Sequence, residues 1–449
     1  MNGSLSWQRK ILSNGLIVLL YQRPYAMTAQ LSLAVKYGSN DDSEEEIGTS
    51  HFLEHMLVGG SQKRIALIHE IEKIGGASNF ETSRECTFSI MDIFSERLPE
   101  ASNVLSGLLF DSTFEREKLE HERKIILNEI SEASDDPWDK TEETLLKCLF
   151  RKHPAKNPIL GTKKTVNQIT LNKIKKAHEK YYSPENMILT LTGKFSDRDA
   201  NLLLEAFQKK DGSNPISRPK RNIEDGKPKT EALMRRSGIT QAYLSFGFKT
   251  TQANDADIPA IELINAILGL GESSRLFVEL REKRPLTYDF DSVNVAGLDF
   301  GYFSVNCAVK VKSLKQIQTI IQNELQKLKN ISVPDNELEK CKNLVLGDVF
   351  RSVDSPHMLP RIMTDSELYF EDENILNQYV DKIKSLSQQE IKKSQTSISM
   401  KKTMRLQSPL QKPAAQFKKE FQTRARRKRT PGGTIASLML KENSGANLK

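Results

Sequence analysis

A strand, an acidic loop and a helix recur in the same order in two parts of this 449-residue chain, about 210 residues apart. In the first part, an alternating strand at 29–36 is followed by a polar loop and by a helix that begins near Thr49 or Ser50, either of which could cap it. In the second part, the strand lies at 241–249 and an apolar helix at 259–268. This repeat predicts an internal duplication and therefore two similar domains.

Both parts mix strands with amphipathic helices, so the predicted fold class is α+β. We expect two similar domains, each an antiparallel sheet packed with helices, joined by a linker. A segment rich in Gly, Pro, Ser and charged residues predicts the linker. The predicted boundaries are 1–210 for the first domain, 211–230 for the linker, 231–400 for the second domain and 401–449 for a basic tail.

The positive charge of the chain is concentrated at its C-terminal end. The whole chain carries +8, yet residues 401–449 hold thirteen Lys or Arg and only two Asp or Glu, so the preceding part is slightly acidic. After Lys393 no apolar strand follows that matches the one closing the first domain. We therefore expect a disordered, solvated tail, with contact to nucleic acid as a less favoured alternative.

The chain shows no feature of secretion or membrane insertion. It lacks an apolar N-terminal segment of signal-peptide length and any run of 18 apolar residues. Its cysteines are scattered without a C-x-x-C pair, which is typical of reduced thiols in a cytosolic protein. We expect no membrane span and a cytoplasmic location.

The first helix contains the arrangement His51-x-x-Glu54-His55. On a helix, positions 51 and 55 lie one turn apart on the same face, so that both imidazoles can bind one divalent ion. Glu54 lies beside them and could accept a proton from a water on that ion. The order is the inverse of the H-E-x-x-H zinc motif and predicts a catalytic metal site. A third ligand is still required. The corresponding helix of the second part contains no histidine.

A charged helix predicted at 115–133 offers candidates for the third ligand. Glu129 lies among apolar residues, and Glu122 precedes it by two turns on the same face. One of them could bind the metal while the other orients a histidine. Glu132 lies on nearly the same face and is an alternative ligand.

Several motifs together resemble the pitrilysin/insulinase family of zinc peptidases. Within that family, the chain resembles the short branch that includes the beta subunit of mitochondrial processing peptidase. The resemblance extends from about Leu12 to about Gln388. The motifs are HFLEHM at 51–56, GGASN at 75–79 with TSRE at 82–85, ERKIILNEI at 122–130, NPILGT at 157–162 and YYSPEN at 181–186.

The resemblance implies one Zn²⁺ per chain, held by His51, His55 and Glu129. Glu54 would be the general base, and Glu122 would support the site. The family's common spacing from the second histidine points to Glu132 instead. The local pattern of Glu-Arg followed seven residues later by Glu favours Glu129. A three-residue deletion in a loop between the second histidine and this glutamate would explain the shorter spacing.

The resemblance also implies residues that complete the cleft. Asn79 would help to hold the substrate strand. In the second domain, the segment REKRPLTY at 281–288 resembles the family's R-x-x-x-x-L-x-Y motif. Arg281 would bind carbonyl or carboxylate groups of the substrate, and the hydroxyl of Tyr288 would hydrogen-bond the oxyanion of the tetrahedral intermediate.

These expectations describe a zinc-dependent endopeptidase for peptides or unfolded polypeptide segments. The substrate would be held in an extended conformation along a strand edge. Family members of this length close the cleft between two chains, so we expect a homodimer or a heterodimer with a metal-free paralogue. The alternative is a catalytically silent structural subunit of the same fold. The presence of all five histidines and glutamates of the predicted site argues against that alternative.

Overall fold

The computed structural model describes residues 5–111, 113–209, 212, 218, 221, 224, 231–233, 241–397 and 405–407. Its strands are β1 Gln8–Ile11, β2 Ile17–Gln22, β3 Thr28–Val35, β4 Ala77–Thr82, β5 Thr87–Phe94, β6 Met187–Gly193, β7 Glu231–Leu233, β8 Ala242–Lys249, β9 Thr287–Ala296, β10 Gly301–Val309 and β11 Arg405–Gln407. Both halves contain strands and helices, as the sequence predicted.

The helices of the first half are α1 Thr49–Gly59, α2 Gln62–Lys73, α3 Leu98–Phe110, α4 Arg116–Asp135, α5 Pro137–Leu149, α6 Lys163–Gln168, α7 Leu171–Tyr181 and α8 Asp197–Gln208. Those of the second half are α9 Ile258–Gly269, α10 Arg275–Phe277, α11 Leu314–Asn330, α12 Asp335–Asp354, α13 Met358–Phe370, α14 Ile375–Ser385 and α15 Gln388–Ser397. Helix α10 continues as a π-helical turn, Val278–Glu282. Among the described residues, no helix is both long and apolar enough to cross a membrane. The cytoplasmic location stays a prediction.

The first sheet has the strand order β1-β2-β6-β3-β5-β4. Its neighbours pair antiparallel, except β2 and β6, which pair parallel. Helices α1 and α3 lie on one face, where Phe52, Leu53 and Leu105 join the apolar core formed with strand residues such as Leu31 and Leu33. Among the described strands, β4 pairs only with β5, so within this part of the chain one of its edges is open to a further strand.

The second half repeats this topology. Strands β8, β10 and β9 pair antiparallel in that order, and the parallel pair β7–β11 lies beside β8. The order therefore matches β2-β6-β3-β5-β4 of the first sheet. This agreement confirms the two similar domains of the predicted fold.

One expectation about the C-terminal end is corrected. Arg405–Gln407 forms a strand, although we expected 401–449 to be a disordered tail. Main-chain hydrogen bonds hold strands together, so a pairing strand need not carry the apolar pattern on which the prediction relied. The rest of 398–449 lies outside the described residues, as does most of the predicted linker.

Each half contributes one helix that packs on the sheet of the other half. Helix α5 of the first half packs on the second sheet, where Leu145 and Leu149 are buried with Val293 and Val295. Helix α13 of the second half packs on the first sheet, on the face opposite α1. The predicted linker at 211–230 therefore lies between the two sheets in sequence. In space, however, each half contributes a helix to the sheet of the other half. The four cysteines are buried and form no disulfide within the described part of the chain, as expected for reduced thiols.

The N-terminus of α1 is capped differently from the prediction. The residue before the helix is Gly48, whose positive φ of 95° suits glycine and leaves no side chain to act as a cap. The carboxylate of Asp42 replaces it, accepting hydrogen bonds from the backbone N–H groups of Gly48 (2.9 Å) and Ser50 (3.1 Å). The hydroxyl of Tyr37 also donates to Asp42. Neither Thr49 nor Ser50 acts as the cap, because the required acceptor comes from the preceding loop.

Candidate metal centre

Three potential ligand atoms meet between helices α1 and α4. The Oε2 atom of Glu129 lies 3.7 Å from Nε2 of His51 and 3.4 Å from Nε2 of His55. All three ligand atoms lie within 4.8 Å of one another. Ligands about 2.0–2.1 Å from a tetrahedral zinc are roughly 3.3 Å apart, so the observed separations fit such an ion. Glu132 is exposed and is not part of this group.

Two buried polar atoms of this group, Nδ1 of His51 and Oε2 of Glu129, make no well-formed hydrogen bond with the described residues. A buried carboxylate oxygen without a donor is costly, and a cation would satisfy it. Two imidazoles and one carboxylate, with a fourth position left open, form a donor set typical of catalytic zinc. The residues present therefore fit the metal that the motif predicts.

Glu122 supports the site from behind His55. Its Oε2 lies 3.1 Å from Nδ1 of His55, so it can hold a proton on Nδ1 and leave Nε2 free for a metal. Burial lowers the pKa of His55, but the neighbouring carboxylates of Glu122 and Glu129 outweigh burial and raise the pKa to about 10. Carboxylates that stabilise a proton in this way also stabilise a bound cation.

Gly59, at the end of α1, is a residue that the sequence reasoning missed. A Cβ atom at this position would lie 2.2 Å from Oε1 of Glu122. Glycine therefore leaves the space that the Glu122 carboxylate occupies next to His55. No local pattern indicates this requirement, because the contact depends on how α1 and α4 pack.

Replacing Gly59 with alanine is expected to weaken zinc binding by about 10–100-fold, the usual effect of losing a partner that orients a metal ligand. The new methyl group would displace Glu122 from His55. The measurement is zinc affinity by competition with a chelator. Gly347→Ala is the matched control: it also changes a helical glycine, but its Cβ would come no closer than 3.1 Å to the side chain of Arg351. Equal zinc affinity in Gly59→Ala and the control would contradict the role of Gly59.

Glu54 lies beside the group, with its Oε2 3.9 Å from Nε2 of His51. The hydroxyl of Thr82 donates to the same oxygen at 3.2 Å. Burial raises the pKa of Glu54 to about 7, which places its proton affinity near that of a general base at neutral pH. Thr82 is the last residue of β4, so the edge strand contacts the predicted base directly.

Asn79 lies on the same strand as Thr82, but it is exposed and its side chain is on the opposite face of the sheet from that of Thr82. Phe80 packs toward α1 and Thr82 contacts Glu54, whereas Glu81 points to the opposite face of the sheet, toward α13. Because side chains alternate along a strand, Asn79 shares the face of Glu81. Its role in substrate binding stays a prediction.

Arg281 and Tyr288 are not brought to the metal group within one chain. Tyr288 is 86% exposed at the start of β9, and the exposed Arg281 stacks over the ring of Phe277. In the described part of the chain, neither residue contacts His51, Glu54, His55 or Glu129. Their predicted roles in the cleft stay predictions.

Two protein-family models match the chain, one for each half. The model described as Insulinase (Peptidase family M16) matches residues 17–163, and the model described as Peptidase M16 inactive domain matches residues 168–345. An uncharacterized zinc protease of Rickettsia bellii (strain RML369-C) is 30% identical over 320 residues, which are 71% of this chain and 77% of that protein. The chain belongs to peptidase family M16, the insulinase family.

Other similarities extend over most of the chain. An uncharacterized zinc protease of Bacillus subtilis (strain 168) is 26% identical over 385 residues, covering 85% of this chain and 92% of that protein. The crystal structure of a protease from Helicobacter pylori has a TM-score of 0.83 at 20% identity, covering 90% and 99% of the two chains. That similarity shows a shared fold. A specific relation to the beta subunit of mitochondrial processing peptidase stays a prediction.

Proposed function

We propose that this M16 protein is a zinc-dependent endopeptidase that cleaves peptides or unfolded polypeptide segments. The observation that carries the proposal is the meeting of His51, His55 and Glu129 around one point, with the carboxylate of Glu54 beside it. Family membership alone is weaker support, because the second half matches a domain described as inactive.

The proposed reaction assigns a role to each residue of the centre. His51, His55 and Glu129 would hold one Zn²⁺, which when bound would acidify water and polarise the scissile carbonyl. Glu54 would take a proton from the attacking water and deliver it to the leaving amine. The hydroxyl of Thr82 would hold Glu54 in the orientation that it has in the structure.

The open edge of β4 supports an extended substrate. A peptide can add to such an edge through main-chain hydrogen bonds, which require little sequence specificity. Strand β4 ends at Thr82, next to Glu54, so a peptide paired with this edge would run past the metal centre. A folded domain offers no free extended segment for this pairing, which favours peptides and unfolded segments as substrates.

The direct test is zinc content together with cleavage of a mixed library of unfolded peptides. We expect one zinc per chain and hydrolysis that stops when a chelator removes the metal. Zinc without cleavage by the purified chain would point to a missing partner subunit. Absence of zinc would favour the catalytically silent structural subunit.

We further propose that a second chain completes the cleft, as either an identical subunit or a metal-free paralogue. The support is the exposure of Arg281 and Tyr288 away from the centre of their own chain. In a homodimer they would reach the metal centre of the partner, and the partner's second domain would cover the open cleft.

Mixing two inactive variants tests the shared cleft. Glu54→Gln lacks the base and Tyr288→Phe lacks the hydroxyl. In random heterodimers one cleft of two would carry both intact groups, so an equal mixture should recover about one quarter of wild-type activity. Light scattering must first show a dimer. A fully active monomer, or a mixed dimer without activity, would contradict a homodimeric cleft.

A further inference from the structure

Helix α13 of the second half crosses the first sheet from one edge to the other. It lies on the face opposite α1, and its apolar residues Leu359 and Met363 pack against Leu19 and Ile188. Polar side chains on or just before the helix also reach four separate strands. These contacts are Glu367 with Arg9 of β1, Thr364 with Thr190 of β6, His357 with Asp92 of β5, and Arg361 with Glu81 of β4.

The contact with β4 is the most buried of the charged ones. Arg361 is 6% exposed, and its guanidinium lies over the ring of Phe88. Its Nε donates to Oδ2 of Asp365 at 2.7 Å, and its Nη1 donates to Oε1 of Glu81 at 2.6 Å. Asp365 belongs to the same helix, whereas Glu81 belongs to the edge strand. The guanidinium therefore joins the second half to β4 by a short, charge-assisted hydrogen bond.

Strand β4 needs such a contact. In the described part of the chain it is hydrogen-bonded to β5 on one side only, and edge strands fray more easily than central ones. Glu81 and Thr82 are neighbours whose side chains point to opposite faces. Arg361 holds Glu81 on one face, and Thr82 contacts Glu54 on the other. The end of β4 is thus held between α13 and the predicted catalytic base.

We propose that Arg361 is a positioning residue of the second half. Through Glu81 it holds the end of β4, and so keeps Thr82 against Glu54 and the strand edge in place for an extended peptide. The effect on peptides rests on the proposed function, whereas the effect on β4 does not. Arg361 lies beyond the residues matched by either family model, the second of which ends at residue 345.

The sharpest variant is Glu81→Ala, because it removes the contact with β4 and leaves the Arg361–Asp365 pair intact. Glu81→Gln is the conservative variant, since an amide oxygen can still accept from Arg361. His357→Ala is the matched control, because it removes another contact between the N-terminal end of α13 and the sheet, on β5 rather than β4. Should Glu81→Ala fail to fold, Arg361→Lys tests the same contact with one charge retained.

Hydrogen exchange of the amides in residues 77–82 gives the decisive readout. We expect exchange about tenfold faster in Glu81→Ala, near the wild-type rate in Glu81→Gln and unchanged in His357→Ala. Zinc content should stay at one per chain, while KM for peptides rises more than kcat falls. Wild-type protection of β4 in Glu81→Ala would overturn the proposal. If the wild type cleaves no peptide, the proposed function fails, yet the exchange experiment still decides the role of Arg361.

Discussion

Replacing Glu54 with glutamine is expected to reduce peptide hydrolysis by about 10²–10⁴-fold, the usual contribution of a general base. Glutamine has nearly the shape of glutamate and can still accept the hydrogen bond from Thr82. It cannot accept a proton from the attacking water. Because Glu54 is not one of the three ligands, zinc content should remain at one per chain. The measurements are kcat on the unfolded-peptide library and metal content by mass spectrometry.

Glu132→Gln is the matched control for this experiment. It makes the same chemical change on an exposed side chain of α4, outside the metal group. It should leave both activity and zinc content at the wild-type level. Hydrolysis by Glu54→Gln at a rate near that of the wild type would remove Glu54 from the proposed mechanism, whatever the metal content.

Replacing His55 with alanine is expected to release the metal and abolish hydrolysis. His55 supplies one of three ligands, so zinc affinity should fall by more than the roughly 100-fold that loss of an outer hydrogen-bonding partner costs. The change would also leave the carboxylates of Glu122 and Glu129 without the imidazole that now lies between them. Zinc content after dialysis, measured beside peptide cleavage, gives the result. His51→Ala should behave in the same way.

Exposed residues on α4 provide the controls. His121→Ala removes an exposed histidine and should keep stoichiometric zinc. Glu129→Ala should lose zinc and Glu132→Ala should not, which would decide between the two candidate third ligands. A His55→Ala protein that retains one tightly bound zinc per chain would show that the ligand set is different.

The amino-acid sequence determined those parts of the site that depend on helix geometry. His51 and His55 lie one turn apart on α1, and Glu122 and Glu129 lie two turns apart on α4, because the helical repeat places these positions on one face. The duplicated order of strand, loop and helix similarly indicated two domains of one topology. Such patterns are local or periodic, so they can be read without knowledge of the packing.

Tertiary structure decided what depends on contacts between distant segments. It brought Glu129 rather than Glu132 to the histidines, because the crossing of α1 and α4 selects one position along the helix. It supplied Asp42 as the cap of α1 and required Gly59 beside Glu122. It also exchanged α5 and α13 between the halves, which brings Arg361 to β4. The contact of Arg361 with Glu81 joins residues 280 positions apart, and no short-range pattern specifies which side chains will meet across such a distance.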